Sequence, residues 1–84
     1  MYEIKFSQDA EKQFKKLENE LQKRIINSLS RIIINPENHI ERLVGVPYYK
    51  LRVGDYRLIL DLKVNDSVIL VIELGHRKNI YKQI

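Results

Sequence analysis

Lys50 and Arg52 stand two residues apart, Arg57 follows a Gly54-Asp55 pair, and Arg77 lies in the closing stretch Gly75-His76-Arg77-Lys78-Asn79. Guanidinium groups clamp a phosphate bidentately and stabilise charge building on its oxygens, and a lysine amine can move a proton. The set therefore suits phosphate chemistry that needs no metal. His76 adds an imidazole, a general acid or base near neutral pH or else a phosphate contact. Lys78 is a further phosphate contact. Tyr81 could stack on a base or take part in proton transfer, as aromatic side chains do at RNA sites. The plainer alternative is an ordinary solvated face: arginines paired with Asp55, Asp61 or Glu73, His76 a polar strand-end residue, and Tyr81 packed on the sheet.

Other chemistries find no residues to carry them. The 84 residues contain no cysteine, which excludes a thiol nucleophile, a disulfide scaffold and a Cys-based zinc site. His39 and His76 are far apart, the acidic residues of the second half lack metal-ligand spacing, and Gly45, Gly54 and Gly75 make no glycine-rich phosphate loop. No metal and no cofactor are expected. His39, in a polar connector, reads as a surface residue. Fifteen Lys+Arg against 11 Asp+Glu give a net charge of +4, which favours polyanionic partners. Residues 1–47 hold 8 basic and 7 acidic side chains, residues 48–84 hold 7 and 4, so the excess lies in the second half. The apolar run Val68 to Leu74 is far short of the roughly 20 residues a membrane helix needs. Met1 to Phe6 shows no signal-peptide pattern. A cytoplasmic protein that does not engage a membrane is expected.

The length bounds the chain to one domain, residues 1–84, with one modest core. Tyr2, Ile4 and Phe6 alternate with polar residues as in a half-buried strand. Ser7 sits where an N-cap belongs, and Ala10, Phe14 and Leu17 follow at helical spacing, predicting a helix from about Gln8 to Leu17. Asn19 and Gln22 resemble a capping box that opens a second helix, whose stripe is Leu21, Ile25, Leu29 and Ile32, with Lys23, Arg24, Asn27 and Arg31 on the polar face. Asn35-Pro36 ends it. The two helices form a hairpin. After a polar connector from Pro36 to Pro47, Tyr48 to Val53 and Tyr56 to Leu62 read as strands about Gly54-Asp55, and Val68 to Leu74 as a central strand covered on both faces. The fold class is thus α+β, in the order β-α-α-β-β-β, a small antiparallel-rich sheet packed against an N-terminal helical hairpin.

Register places the charges. A two-residue loop at Gly54-Asp55 sets Arg52 opposite Arg57 and Leu51 opposite Leu58. A three-residue loop at Asn65-Asp66-Ser67 sets Leu58, Leu60 and Leu62 against Leu74, Ile72 and Leu70, with Arg57 on the other face beside Gly75 and Arg77. Four cations then share one surface. Like charges facing across a sheet cost about 0.2–1 kcal/mol per pair, so stability alone does not account for them. On this polar face, truncating Arg57 or Arg77 should open no core cavity, and stability should hold.

The stretch Tyr49-Lys50-Leu51-Arg52-Val53-Gly54-Asp55-Tyr56-Arg57-Leu58-Ile59, the Leu43-Val44-Gly45 lead-in, Asn35-Pro36 and the closing Gly75 to Tyr81, in this element order, resemble the RelE/ParE superfamily of toxins from prokaryotic type II toxin–antitoxin pairs. The likeness covers essentially the whole chain. It implies, for the RelE branch, a ribosome-dependent RNase that cuts mRNA in the A site without metal: the 2′-hydroxyl attacks the adjacent phosphate, leaving a 2′,3′-cyclic phosphate and a 5′-hydroxyl. By position it implies Lys50 as base, with Arg52 its partner in the family's basic pair and binding RNA, Arg57 and Arg77 as phosphate-stabilising groups and Tyr81 as the C-terminal tyrosine; His76 and Lys78 are expected to bind RNA on their own chemistry. Arg at position 52 is effectively always charged, which excludes it as a base. The partners implied are a cognate RelB-like antitoxin, in a toxin–antitoxin heterotetramer, and the ribosome with its mRNA. Two other readings stand beside this one: a ParE-like poison of DNA gyrase, and a non-catalytic module that binds antitoxin or nucleic acid.

Overall fold

The computed structural model describes residues 1–80, so Tyr81 lies outside the described residues. Strand β1 (Glu3–Phe6) leads into helices α1 (Gln8–Lys15) and α2 (Asn19–Ile32), followed by β2 (Glu41–Arg42), β3 (Tyr49–Val53), β4 (Tyr56–Lys63) and β5 (Val68–His76). The sheet order is β1-β5-β4-β3-β2, with β1 parallel to β5 and the other pairs antiparallel. The expected order holds, with one addition: the polar connector contributes the two-residue edge strand β2. So short a strand carries no periodicity to read, and it exists because β3 offers it a partner. No helix among the described residues is long and apolar enough to cross a membrane.

The helices lay Ala10, Ile25, Leu29 and Ile32 on one face of the sheet, against Leu51, Val53, Leu58, Leu60, Ile69, Val71 and Leu74. Phe6 and Phe14 meet edge to face at 5.4 Å, which ties β1 to α1. The second helix opens differently from the capping-box expectation. Glu18 is its N-cap and makes no side-chain cap bond. Gln22 reaches backwards instead, its Nε2 donating to the carbonyls of Phe14 (3.0 Å) and Leu17 (3.1 Å). The Phe14 carbonyl also accepts from Leu17 N–H at 3.1 Å, so the residue read as a start signal reinforces the turn that ends the preceding helix.

Strand β5 extends past the end of β1, and its exposed edge is satisfied by α1. Ser7 Oγ accepts from Ala10 N–H at 3.0 Å, the expected N-cap, and donates to the Ile72 carbonyl at 2.8 Å. Gln13 accepts from Leu74 N–H at 3.0 Å and donates to Glu73 at 2.9 Å.

The hairpin register at Gly54-Asp55 is as expected: Val53 faces Tyr56, Arg52 faces Arg57, Leu51 faces Leu58. The second hairpin departs from its expected register. Leu58 does pair with Leu74, but an irregularity at Ile59/Leu60 leaves Ile72 without a partner on β4, so Leu60 meets Val71 and Leu62 meets Ile69. Two features absorb the shift. The turn is a 3₁₀ segment, Val64–Asp66, closed by Ser67 at φ 53°, which makes a four-residue loop. The bulge then restores phase, so that Ile69, Val71 and Leu74 all face the helices although their spacing is not even. β5 lies inside the sheet as expected, between β1 and β4, and β4 is the middle strand of the five.

Candidate functional site

On the sheet face away from the helices, β3 carries Lys50 and Arg52, β4 carries Arg57, and β5 carries Gly75 opposite Arg57. Arg57 is the buried member, only 7% exposed, and it lies outside the main core. Its Nη1 donates to the carbonyls of Gly54 and Tyr56, both at 2.9 Å. A guanidinium has five N–H groups, and Nη1 holds two of them. Nε and Nη2 bond to no described residue, and neither is fully enclosed without a partner. The result is a cation fixed through one nitrogen, with donors left over. This corrects the expectation that truncating Arg57 leaves stability untouched. The side chain faces away from the core, yet it anchors the turn.

Lys50 stands beside Glu41 of β2, directly opposite in register, with Nζ 3.6 Å from Oε2. Sequence reasoning missed Glu41 because β2 was invisible to it; an acidic residue ahead of an alternating strand was the available signal. Arg52 is exposed. Arg77 joins the group through the hairpin tip: its N–H donates to the Asp55 carbonyl at 2.8 Å, and its Nε lies 3.9 Å from the Asp55 carboxylate. The Gly54-Asp55 turn thus receives Arg57 from one side and Arg77 from the other.

His76 is not brought to this face. It pairs with Tyr56, ring to ring at 5.7 Å, on the opposite side of the strands, and its Nδ1 accepts from Lys78 N–H at 3.2 Å. Its role in the structure is to shape the turn that holds Arg77 and Lys78, both exposed. Ile80, 1% exposed, packs over Gly75, where an added Cβ would meet it at 3.4 Å.

A further residue at the turn was read as solvent-facing helix surface. Arg24 of α2 lays its guanidinium against Gly54, so closely that a Cβ there would sit 3.0 Å from Nη2 and 3.3 Å from Nη1. With φ at +59°, the backbone at Gly54 favours glycine, and a side chain there would also have to push the Arg24 guanidinium back by a few tenths of an ångström. Only the return of α2 over the hairpin reveals this contact.

Chemically, the face offers a fixed guanidinium, a lysine on the adjacent strand and exposed cations at the rim. That is the apparatus for holding a phosphodiester and stabilising charge on its oxygens.

Comparison with known proteins agrees with this geometry. A RelE-like toxin protein of Escherichia coli is 29% identical over 80 residues, covering 92% of this chain and 84% of that protein. The toxin of the intact E. coli RelBE toxin–antitoxin complex superposes with a TM-score of 0.79 at 28% identity, covering 90% of this chain and 96% of that one. The isolated E. coli RelE toxin gives 0.81 at 26% identity, over 99% and 94% of the two chains. The model of the ParE toxin of type II toxin–antitoxin systems matches residues 4–81. With a family model spanning nearly the whole chain and RelE toxins sharing its fold, the protein belongs to the RelE/ParE superfamily of type II toxin–antitoxin toxins.

Proposed function

We propose that this toxin is a ribosome-dependent endoribonuclease that cleaves mRNA in the A site and thereby stops translation in the cytoplasm. The observation that carries the reading is Arg57, a buried guanidinium fixed by two turn carbonyls on the sheet face it shares with Lys50 and Arg52. A preorganised cation of this kind costs no reorganisation when charge develops on a phosphate. Lys50 removes the proton of the 2′-hydroxyl, whose oxygen bonds to the adjacent phosphorus. The bond from phosphorus to the 5′-oxygen breaks, Tyr81 supplies that oxygen's proton, and Arg57 and Arg77 hold the non-bridging oxygens throughout. The products are a 2′,3′-cyclic phosphate and a 5′-hydroxyl, and no metal enters. Arg52 and Lys78 hold flanking phosphates, while His76 acts through the loop it shapes.

In this reading a cognate RelB-like antitoxin silences the toxin, as the antitoxin-bound state of the related E. coli complex suggests. A toxin–antitoxin heterotetramer follows if two such pairs join through their antitoxins. The match to the ParE toxin model favours one alternative, a poison of DNA gyrase. Precursor incorporation after expression without antitoxin separates the two. Leucine incorporation should collapse first; an early loss of thymidine incorporation with protein synthesis spared would reverse the assignment.

A further inference from the structure

The open edge of β3 carries a second group of basic residues. Because β2 pairs only with Tyr49 and Lys50, no strand among the described residues lies beyond Arg52 on that side. A cleft of about 170 Å³ occupies the space, floored by Ile32 and Leu51 and walled by Ser28, Arg31, His39 and Arg52. The fold assembles these walls from three elements. Ser28 and Arg31 are three residues apart on α2 and so share one of its faces. The break at Pro36 and the bond from His39 N–H to the Pro36 carbonyl, 3.0 Å, turn the chain back so that His39 rejoins the sheet edge. Among the described residues no carboxylate lies within ion-pair distance of Arg31 or Arg52. Among the described residues the Arg31 guanidinium makes one hydrogen bond, from Nε to the Asn27 carbonyl, and it is long at 3.5 Å.

We propose that this cleft binds a phosphate of the RNA backbone adjacent to the one being cleaved, an inference that rests on the endoribonuclease reading. Two guanidinium groups gathered in one polar cleft repel each other unless an anion lies between them. The donors suit a phosphate: guanidinium N–H groups, an imidazole and a hydroxyl, around a space that takes one tetrahedral anion. Continuity sets the source. Arg52 is the direct cross-strand neighbour of Arg57 and also lines the cleft, so a strand of RNA lying over Arg57 reaches the cleft by turning round the open edge of β3.

Two measurements on the full chain decide this. In the first, nuclear magnetic resonance follows the His39 ring and the Arg31 Nε while inorganic phosphate, or a 2′-O-methyl RNA oligonucleotide that cannot be cut, is added against chloride of equal ionic strength. Both signals should shift, with the oligonucleotide acting at the lower concentration, and Arg31→Ala should remove the His39 response. Shifts no larger than in chloride overturn the site, and a response to phosphate without one to RNA overturns its assignment to the RNA backbone. In the second, the Arg31→Ala/His39→Ala double variant is tested on programmed ribosomes. KM should rise about tenfold, the size of one lost charge-assisted contact, with the loss falling on KM rather than kcat. A loss confined to kcat, or weakened antitoxin binding with KM unchanged, overturns the proposal, the latter in favour of an acidic-peptide site. If the wild-type chain fails to cleave at all, the endoribonuclease reading falls while the oligonucleotide titration still decides the cleft.

Discussion

At the residue scale the decisive side chain is Arg57, because it anchors the turn and, in the proposed reaction, supplies fixed positive charge. One nitrogen fastens the turn at Gly54 and Tyr56, and the others bond to no described residue. Arg57→Ala should therefore cost stability, about 1.5–3 kcal/mol for a hydrogen-bonding charged group, as well as on the order of 10²–10³ in cleavage rate. Arg77→Ala should lose activity on the same scale with an unchanged melting curve, since its side chain is exposed and its backbone bond to Asp55 survives. Lys50→Arg should not restore what Lys50→Ala loses, because arginine keeps the charge and cannot give up the proton. Single-turnover cleavage on programmed ribosomes, with circular dichroism melts of each variant, checks all of these. Wild-type cleavage by both arginine variants would remove the catalytic reading, and full activity in Lys50→Arg would move the base to another residue.

At the element scale, the β3–β4 turn is fixed from the helix side by Arg24 and from the sheet side by Arg57. Gly54→Ala should destabilise the protein by about 1–2 kcal/mol from its left-handed backbone alone. The added methyl must also displace the Arg24 guanidinium. A double-mutant cycle separates these costs: in an Arg24→Ala background, Gly54→Ala should cost less than in the wild type, with an interaction energy of at least about 0.5 kcal/mol in urea melts. Strict additivity would show that Arg24 yields freely and that conformation alone demands glycine.

At the scale of the whole molecule, the net charge of +4 and the cationic sheet face bear on association with the antitoxin. Opposite charge steers encounter, and salt screens it over a Debye length of about 8 Å at physiological ionic strength. The association rate should fall as salt rises while the dissociation rate moves less, as stopped-flow mixing across a chloride series would show. A flat association rate would assign the encounter to apolar docking instead.

Period, caps and turn residues were enough to read the element order, the hairpin at Gly54-Asp55 and the apposition of Arg52 and Arg57, because each is local: alternation defines a strand, and a two-residue turn fixes its own register. The resemblance carried by residues 49–59 and 75–81 pointed to the toxin superfamily. What the sequence could not contain were contacts between distant segments. The bulge at Ile72 arises because β5 must fit β4 at one end and β1 with α1 at the other, and no periodicity within β5 announces it. Glu41 meets Lys50, Arg24 covers Gly54, and His39 meets Arg31 and Arg52 only after the sheet and α2 are packed. Likewise, alternation assigned Arg57 to the polar face, but its burial was decided by tertiary packing. The turn carbonyls behind it and the chain over Gly75 close around a position that, within its own strand, faces water.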